Sequence, residues 1–238
     1  MALIELEVSV PQDLSAIKLH QYQKYLSVAK GVDEGDKSNE FLNLKALEIF
    51  CGLSLKDSYN LPVSMFESVL KQVSACFEEK TDLVNRFTMT GSDGVTVEFG
   101  FIPNLDKMSF GEYIDLESYI TDWDNMHKAM AVMYRPIIAG KRHLYEIEPY
   151  EGTERWADVM KDAPVNVAMG ALVFFYRLGS KLSRYTMNSL LVEEEKKGNT
   201  ALKEVLAENG VGISQYMDLL EAMSTNLIQL PKFHYTPA

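Results

Sequence analysis

"RFTMTGSDGVTVEFGF", residues 86 to 101, changes the period of the chain. Two runs rich in β-branched and aromatic residues flank GSDG, and apolar and polar side chains alternate along each run, as a hairpin requires. Phe87, Met89, Val95, Val97 and Phe99 are the positions expected to be buried or half-buried. The segments on either side show helical spacing instead, so this hairpin makes the fold mixed.

Downstream, the second strand runs into FGFIPNLDKMSFGEYIDLESY, residues 99 to 119. Pro103 cannot continue an inner strand, and Asn104 and Asp106 favour turns. Ser109 stands three residues before Glu112, the spacing of a capping box, so a helix is expected from there. Asp115 and Glu117 then fall in its first turns, where negative charge suits the positive end of the helix dipole. TDWDNMHKAMAVMYRP reads as a further helix capped by Thr121 or Asp122, with Trp123, Met126, Met130, Val132 and Met133 apolar and Pro136 as its stop. After an AGK turn, RHLYEIEPY alternates as a strand. Residues 153 to 191 hold a short helix around Trp156 and Met160 and a long one after Pro164. EEEKKGN reads as a solvated helix end and loop, two last helices surround GVGIS, and the tail from Pro231 to Ala238 is irregular.

Upstream, LIELEV alternates as a short edge strand that Pro11 ends. Ser15 is read as the cap of a helix carrying Ile17, Leu19, Tyr22, Tyr25, Leu26 and Ala29, which stops near Gly31. A second helix from Glu40 places Phe41, Leu44, Leu47 and Phe50 or Cys51 on one side and ends at Gly52. Pro62 precedes a third, with Met65, Phe66, Val69, Val73 and Phe77 as its stripe. These readings give an α-rich α+β fold: several helices packed around a few short antiparallel strands, with the hairpin regions near 86 to 101 and 141 to 149 in one small sheet. Residues 1–238 are expected to form a single domain, with a helical amino-terminal lobe over 1–82 and a main lobe over 83–238.

The 238 residues are 47% hydrophobic, enough for a packed core. A net charge of -11 sets the average surface against phosphate backbones, so nucleic acid is a disfavoured partner. MALIELEVSV lacks the pattern of a secretory signal, and VAMGALVFFY, residues 167 to 176, is far short of the ~20 apolar residues that span a bilayer. No membrane association is expected. Cys51 and Cys76 read as small buried hydrophobes.

Catalytic patterns are scarce. His20, His127, His143 and His234 are scattered, and HxxxH, CxxC, HExxH, GxSxG and the Walker A loop are absent from the sequence. The expectation is therefore a protein without metal, cofactor or catalytic residues. Two alternatives remain open: an acidic divalent-metal enzyme acting through Asp115, Glu117, Asp122 and Asp124, and a DNA-binding regulator acting through Arg177, Lys181 and Arg184, which share one helix face. Capping and solvation account for the carboxylates, and a solvent face accounts for the cations.

FGFIPNLDKMSFGEYIDLESY, HKAMAVMYRPI, and YEIEPYEG followed by a helix ending in FFYRL together resemble small acidic proteins encoded beside the structural genes of tailed bacteriophages. Such proteins are described as tail-assembly or virion-associated proteins. The resemblance implies a non-enzymatic structural or assembly protein that works by protein contact, as a tail or neck subunit or as a tail-assembly chaperone. Its implied partners are other phage structural proteins or its own copies, and its implied location is the host cytoplasm or the virion. Interface-prone side chains then suggest Tyr113, Tyr119, Trp123, Tyr134, Arg135, Phe233 and Tyr235 as contact residues.

Overall fold

The computed structural model describes residues 8–32, 36–90, 94–141 and 144–179. The hairpin tip at 91–93, EEEKKGN, the two last helices, the tail with Phe233 and Tyr235, and nearly all of the expected first strand lie outside the described residues. Within them the chain is an α-rich α+β fold with a four-stranded antiparallel sheet in the order β1-β2-β3-β4. The strands are β1 (Arg86–Thr90), β2 (Thr96–Phe101), β3 (Tyr134–Lys141) and β4 (Leu144–Ile147).

Among the described residues four α-helices precede the sheet: α1 (Leu19–Lys30), α2 (Asp36–Cys51), α3 (Leu55–Asn60) and α4 (Val63–Glu78). Leu19, Tyr22 and Tyr25 recur every three residues along α1 and are buried, as are Leu70, Val73, Cys76 and Phe77 along α4. Gly52 ends α2 with a φ of 70°, a left-handed conformation that costs an L side chain energy and glycine little. Between β2 and β3 lie α5 (Phe110–Tyr119) and α6 (Met126–Met133), and after β4 come α7 (Glu154–Met160) and a helix here called α8, helical over residues 165–179.

Local sequence misplaces several of these elements. Ser15 is not the cap of α1, because residues 14–16 form their own 3-10 turn capped by Asp13, and α1 starts only at Leu19 behind Lys18. The connection before Pro62 contains α3, capped by Ser54. Met65 and Val95 are exposed rather than in the core.

The largest correction concerns Pro136, which lies inside a strand instead of ending a helix. Proline bars the α conformation from Arg135 and removes a donor from the helix ladder, so α6 must finish earlier. It ends at Met133, and Tyr134 is already extended, with φ -125° and ψ 124°. Pro136 then pairs with Phe99 across the ladder, while its carbonyl accepts from the Glu148 amide at 2.9 Å. Ile138 falls at a register shift between the Ile137 and Ala139 pairs and projects from the sheet. The expected AGK turn is consequently the end of β3.

Phe99, Phe101 and Tyr134 lie in the buried core with the methionines of α6, all nearly inaccessible. Phe101 meets Phe174 and Phe175 of α8 edge-on or tilted, and Phe99 meets Trp156 of α7 edge-on. Described residues on both sides of position 82 share this core: Tyr22 packs edge-on against Trp123 at 4.8 Å, and the Leu19 amide donates to the Ala163 carbonyl at 2.8 Å. No helix among the described residues is long and apolar enough to cross a membrane. Both cysteines are buried and unbridged.

The opposite face of the sheet requires a glycine. A Cβ at Gly100 would stand 2.4 Å from Tyr145 Cε2 and 2.9 Å from Ile137 Cγ1. The Tyr145 ring cannot swing away freely, since its hydroxyl donates to the Phe101 carbonyl at 2.8 Å and Arg86 stacks on it at 5.4 Å. Gly100→Ala is therefore expected to destabilise the fold by on the order of 1–3 kcal/mol. Gly111→Ala is expected to stabilise it by up to about 1 kcal/mol, because a Cβ there meets only Tyr150 Cε1, at 3.9 Å. Urea midpoints at unchanged m-value measure both; a Gly100→Ala midpoint equal to wild type would contradict the close approach.

Candidate protein-contact site

The chain leaves the sheet after Phe101 and turns at Pro103 into α5. Asn104 accepts from the Asp106 amide at 2.9 Å and so closes a short turn before the helix. Ser109 then accepts from the Glu112 amide at 3.3 Å, while Glu112 Oε2 accepts from the Ser109 amide at 2.6 Å. The capping box expected from the sequence is thus formed, and it turns Glu112 inward.

There Glu112 meets a cation from the sheet. Arg135 Nη2 lies 2.5 Å from Glu112 Oε1, with both side chains only 8% exposed. The same guanidinium lies 5.3 Å from the centre of the Tyr150 ring, and the Tyr150 hydroxyl donates to Asp115 Oδ2. Arg135 Nε and Nη1 have no hydrogen-bond partner among the described residues, where the ring face is their remaining electrostatic support. Burial alone would raise the Glu112 carboxyl, but the Ser109 amide and hydroxyl together with Arg135 outweigh it and hold the group below its ordinary value. Burial, followed by the bond to Asp115, raises the Tyr150 hydroxyl, which stays protonated as the donor. Sheet and helix are therefore joined by Ser109, Glu112, Arg135, Tyr150 and Asp115 in sequence.

The outer face of the same helix is apolar. Phe110 is 80% exposed, Tyr113 52% and Ile114 41%, at the i, i+3 and i+4 spacing that places them side by side. Glu117 follows one turn on and is also exposed. A helix that buries Glu112 beside Leu116 while exposing Phe110 and Tyr113 departs from the usual amphipathic order.

Comparison with protein-family models, curated proteins and solved structures finds no match.

Of the contact residues suggested by sequence, Tyr113 is on this face. Tyr119 is half-buried beneath Lys128, whose ammonium lies 5.2 Å from the ring centre. Trp123, Tyr134 and Arg135 are interior, and this corrects the expectation that they reach a partner. The reason is packing inside the chain: Trp123 against Tyr22, Tyr134 between Phe87 and Phe101 with its hydroxyl donating to the Val84 carbonyl at 2.8 Å, and Arg135 against Glu112. Phe110 and Ile114 were not singled out by sequence, although their spacing from Tyr113 carries the signal.

The acidic residues do not converge. Asp115 accepts from Tyr150, Asp122 from the Asp124 amide and the Asn125 side chain, and Asp124 pairs with Lys30 at 2.8 Å. No group of three metal-ligating side chains occurs among the described residues. Arg177 pairs with Asp82 at 3.1 Å, while Lys181 and Arg184 lie outside the described residues.

Arg135→Met leaves Glu112 buried without its cation and is expected to cost about 3–5 kcal/mol. Adding Glu112→Gln should recover part of that loss, and a double-mutant cycle in urea measures the coupling. Because Glu112 is depressed in the folded state, its contribution is complete above its ordinary value of 4.5 and is lost as pH falls through the lower folded value. Wild type should therefore lose stability below that point more steeply than Glu112→Gln, as followed by melting temperature against pH.

Proposed function

We propose that this chain is a non-enzymatic structural or assembly protein of a tailed bacteriophage, acting through contacts with other phage structural proteins. The observation that carries the reading is the exposed Phe110, Tyr113 and Ile114 face on a helix fixed from beneath by a buried ion pair. A rigid helix presenting aromatic side chains loses little entropy when another chain covers it, which favours binding. The resemblance of FGFIPNLDKMSFGEYIDLESY, HKAMAVMYRPI and YEIEPYEG with the helix ending in FFYRL, taken as a set, to tail-assembly and virion-associated proteins supports the phage context. The net charge of -11 favours a chain that stays dispersed until it meets a partner.

Both forms of the role, tail or neck subunit and tail-assembly chaperone, require contact with another phage structural protein. Tagged wild-type protein expressed in infected cells is expected to co-purify with a defined phage structural protein. Its presence in purified particles assigns a subunit, and its absence from them assigns a chaperone. A chain found neither in particles nor in complex with any phage protein contradicts the proposal.

A further inference from the structure

Docking of a partner on α5 rests on the protein-contact reading of the chain, and the chemistry of the helix's outer face narrows the occupant. Phe110, Tyr113 and Ile114 together expose on the order of 300 Å², the scale at which an apolar patch on a monomer is often functional. Among the described residues of α5 the charge on that face is Glu117, whose exposed side chain has no hydrogen bond or ion pair with the other described residues. The other acidic residues of the helix are engaged: Glu112 by Arg135 and Asp115 by Tyr150. No lysine or arginine occurs in FGEYIDLESY.

A second copy of the chain fits this face poorly. Two-fold pairing through α5 brings two helices of the same negative sign together, each on a chain of net charge -11. A standard stable interface buries roughly 800 Å² of total surface per partner, and these three side chains supply only part of it. A single docked helix needs less area and supplies the missing charge. We propose that the outer face of α5 docks a basic amphipathic helix of a partner protein, with its apolar residues over Phe110, Tyr113 and Ile114 and a lysine or arginine over Glu117. Apolar anchors at i, i+3 and i+4 give the affinity, and the cation sets polarity and register along α5.

The test uses the full chain and two synthetic amphipathic peptides with identical leucine positions, one with lysine and one with glutamate on the polar face. Fluorescence anisotropy at physiological salt is expected to show the lysine peptide binding at least about tenfold more tightly than its counterpart. Phe110→Asp should weaken it at least about tenfold, and Glu117→Lys should narrow or invert the preference. Phe110 is exposed, so its variant should keep the wild-type melting temperature; Tyr113→Ala provides a milder second probe of the same face.

Equal binding to wild type and Phe110→Asp, a preference unchanged by Glu117→Lys, or no binding of either peptide would overturn the docking site. A wild-type dimer dissociated by Phe110→Asp would overturn it in favour of self-association. None of these outcomes decides the assembly reading, which stands or falls on co-purification of the wild-type chain. Co-purification that persists in Phe110→Asp removes this docking site alone.

Discussion

A guanidinium on an inner strand has to be neutralised where it lies, and Arg135 is in that position. Its strand is flanked by β2 and β4, and its side chain is nearly inaccessible. Leaving such a charge unpaired costs several kcal/mol, more than most single contacts return. Glu112 answers it, and Glu112 is available only because Ser109 caps α5 in the phase that turns position 112 inward. The pose of α5 therefore follows from a charge in the sheet, and the apolar residues that this phase turns outward are displaced from the core as a consequence.

The energetic balance of that arrangement is uneven. An ion pair of this kind is weak support for net stability, because desolvation consumes much of the Coulombic gain. Its value is geometric: rotation of α5 about its axis would separate Glu112 from Arg135 and Asp115 from Tyr150 together. A hydrophobic seam would tolerate such a rotation more readily, since it has no directional bonds to lose.

Features set by neighbouring residues were legible in the sequence. The hairpin, the Ser109–Glu112 box, the stop of α2 at Gly52 and the start of α4 behind Pro62 all depend on a few consecutive residues. β3 was not legible, because AMAVM favours helix and YRPII becomes a strand only by pairing with β2 and β4. Tyr134, Arg135 and Trp123 are of types that suit a contact with a partner, and their burial depends on residues remote in sequence. In a helix as short as α5, apolar residues at 110, 113, 114 and 116 are compatible with more than one buried face. The acidic residues resisted reading for a related reason: a capping carboxylate and a metal ligand look alike until the backbone amides around them are placed.

The junction between α6 and β3 contains no loop: Met133 is the last helical residue and Tyr134 the first of the strand. The connection between β2 and α5 can absorb an added or deleted residue in its turn, but here length itself carries information. One extra residue would rotate the methionine face of α6 by about 100° if the strand held its place. If the helix held instead, the pleat would exchange Tyr134 and Arg135 between the two sides of the sheet. This boundary should therefore tolerate substitution far better than insertion or deletion, and relatives of any divergence should keep the spacing from Met130 to Pro136 constant while their loops change length.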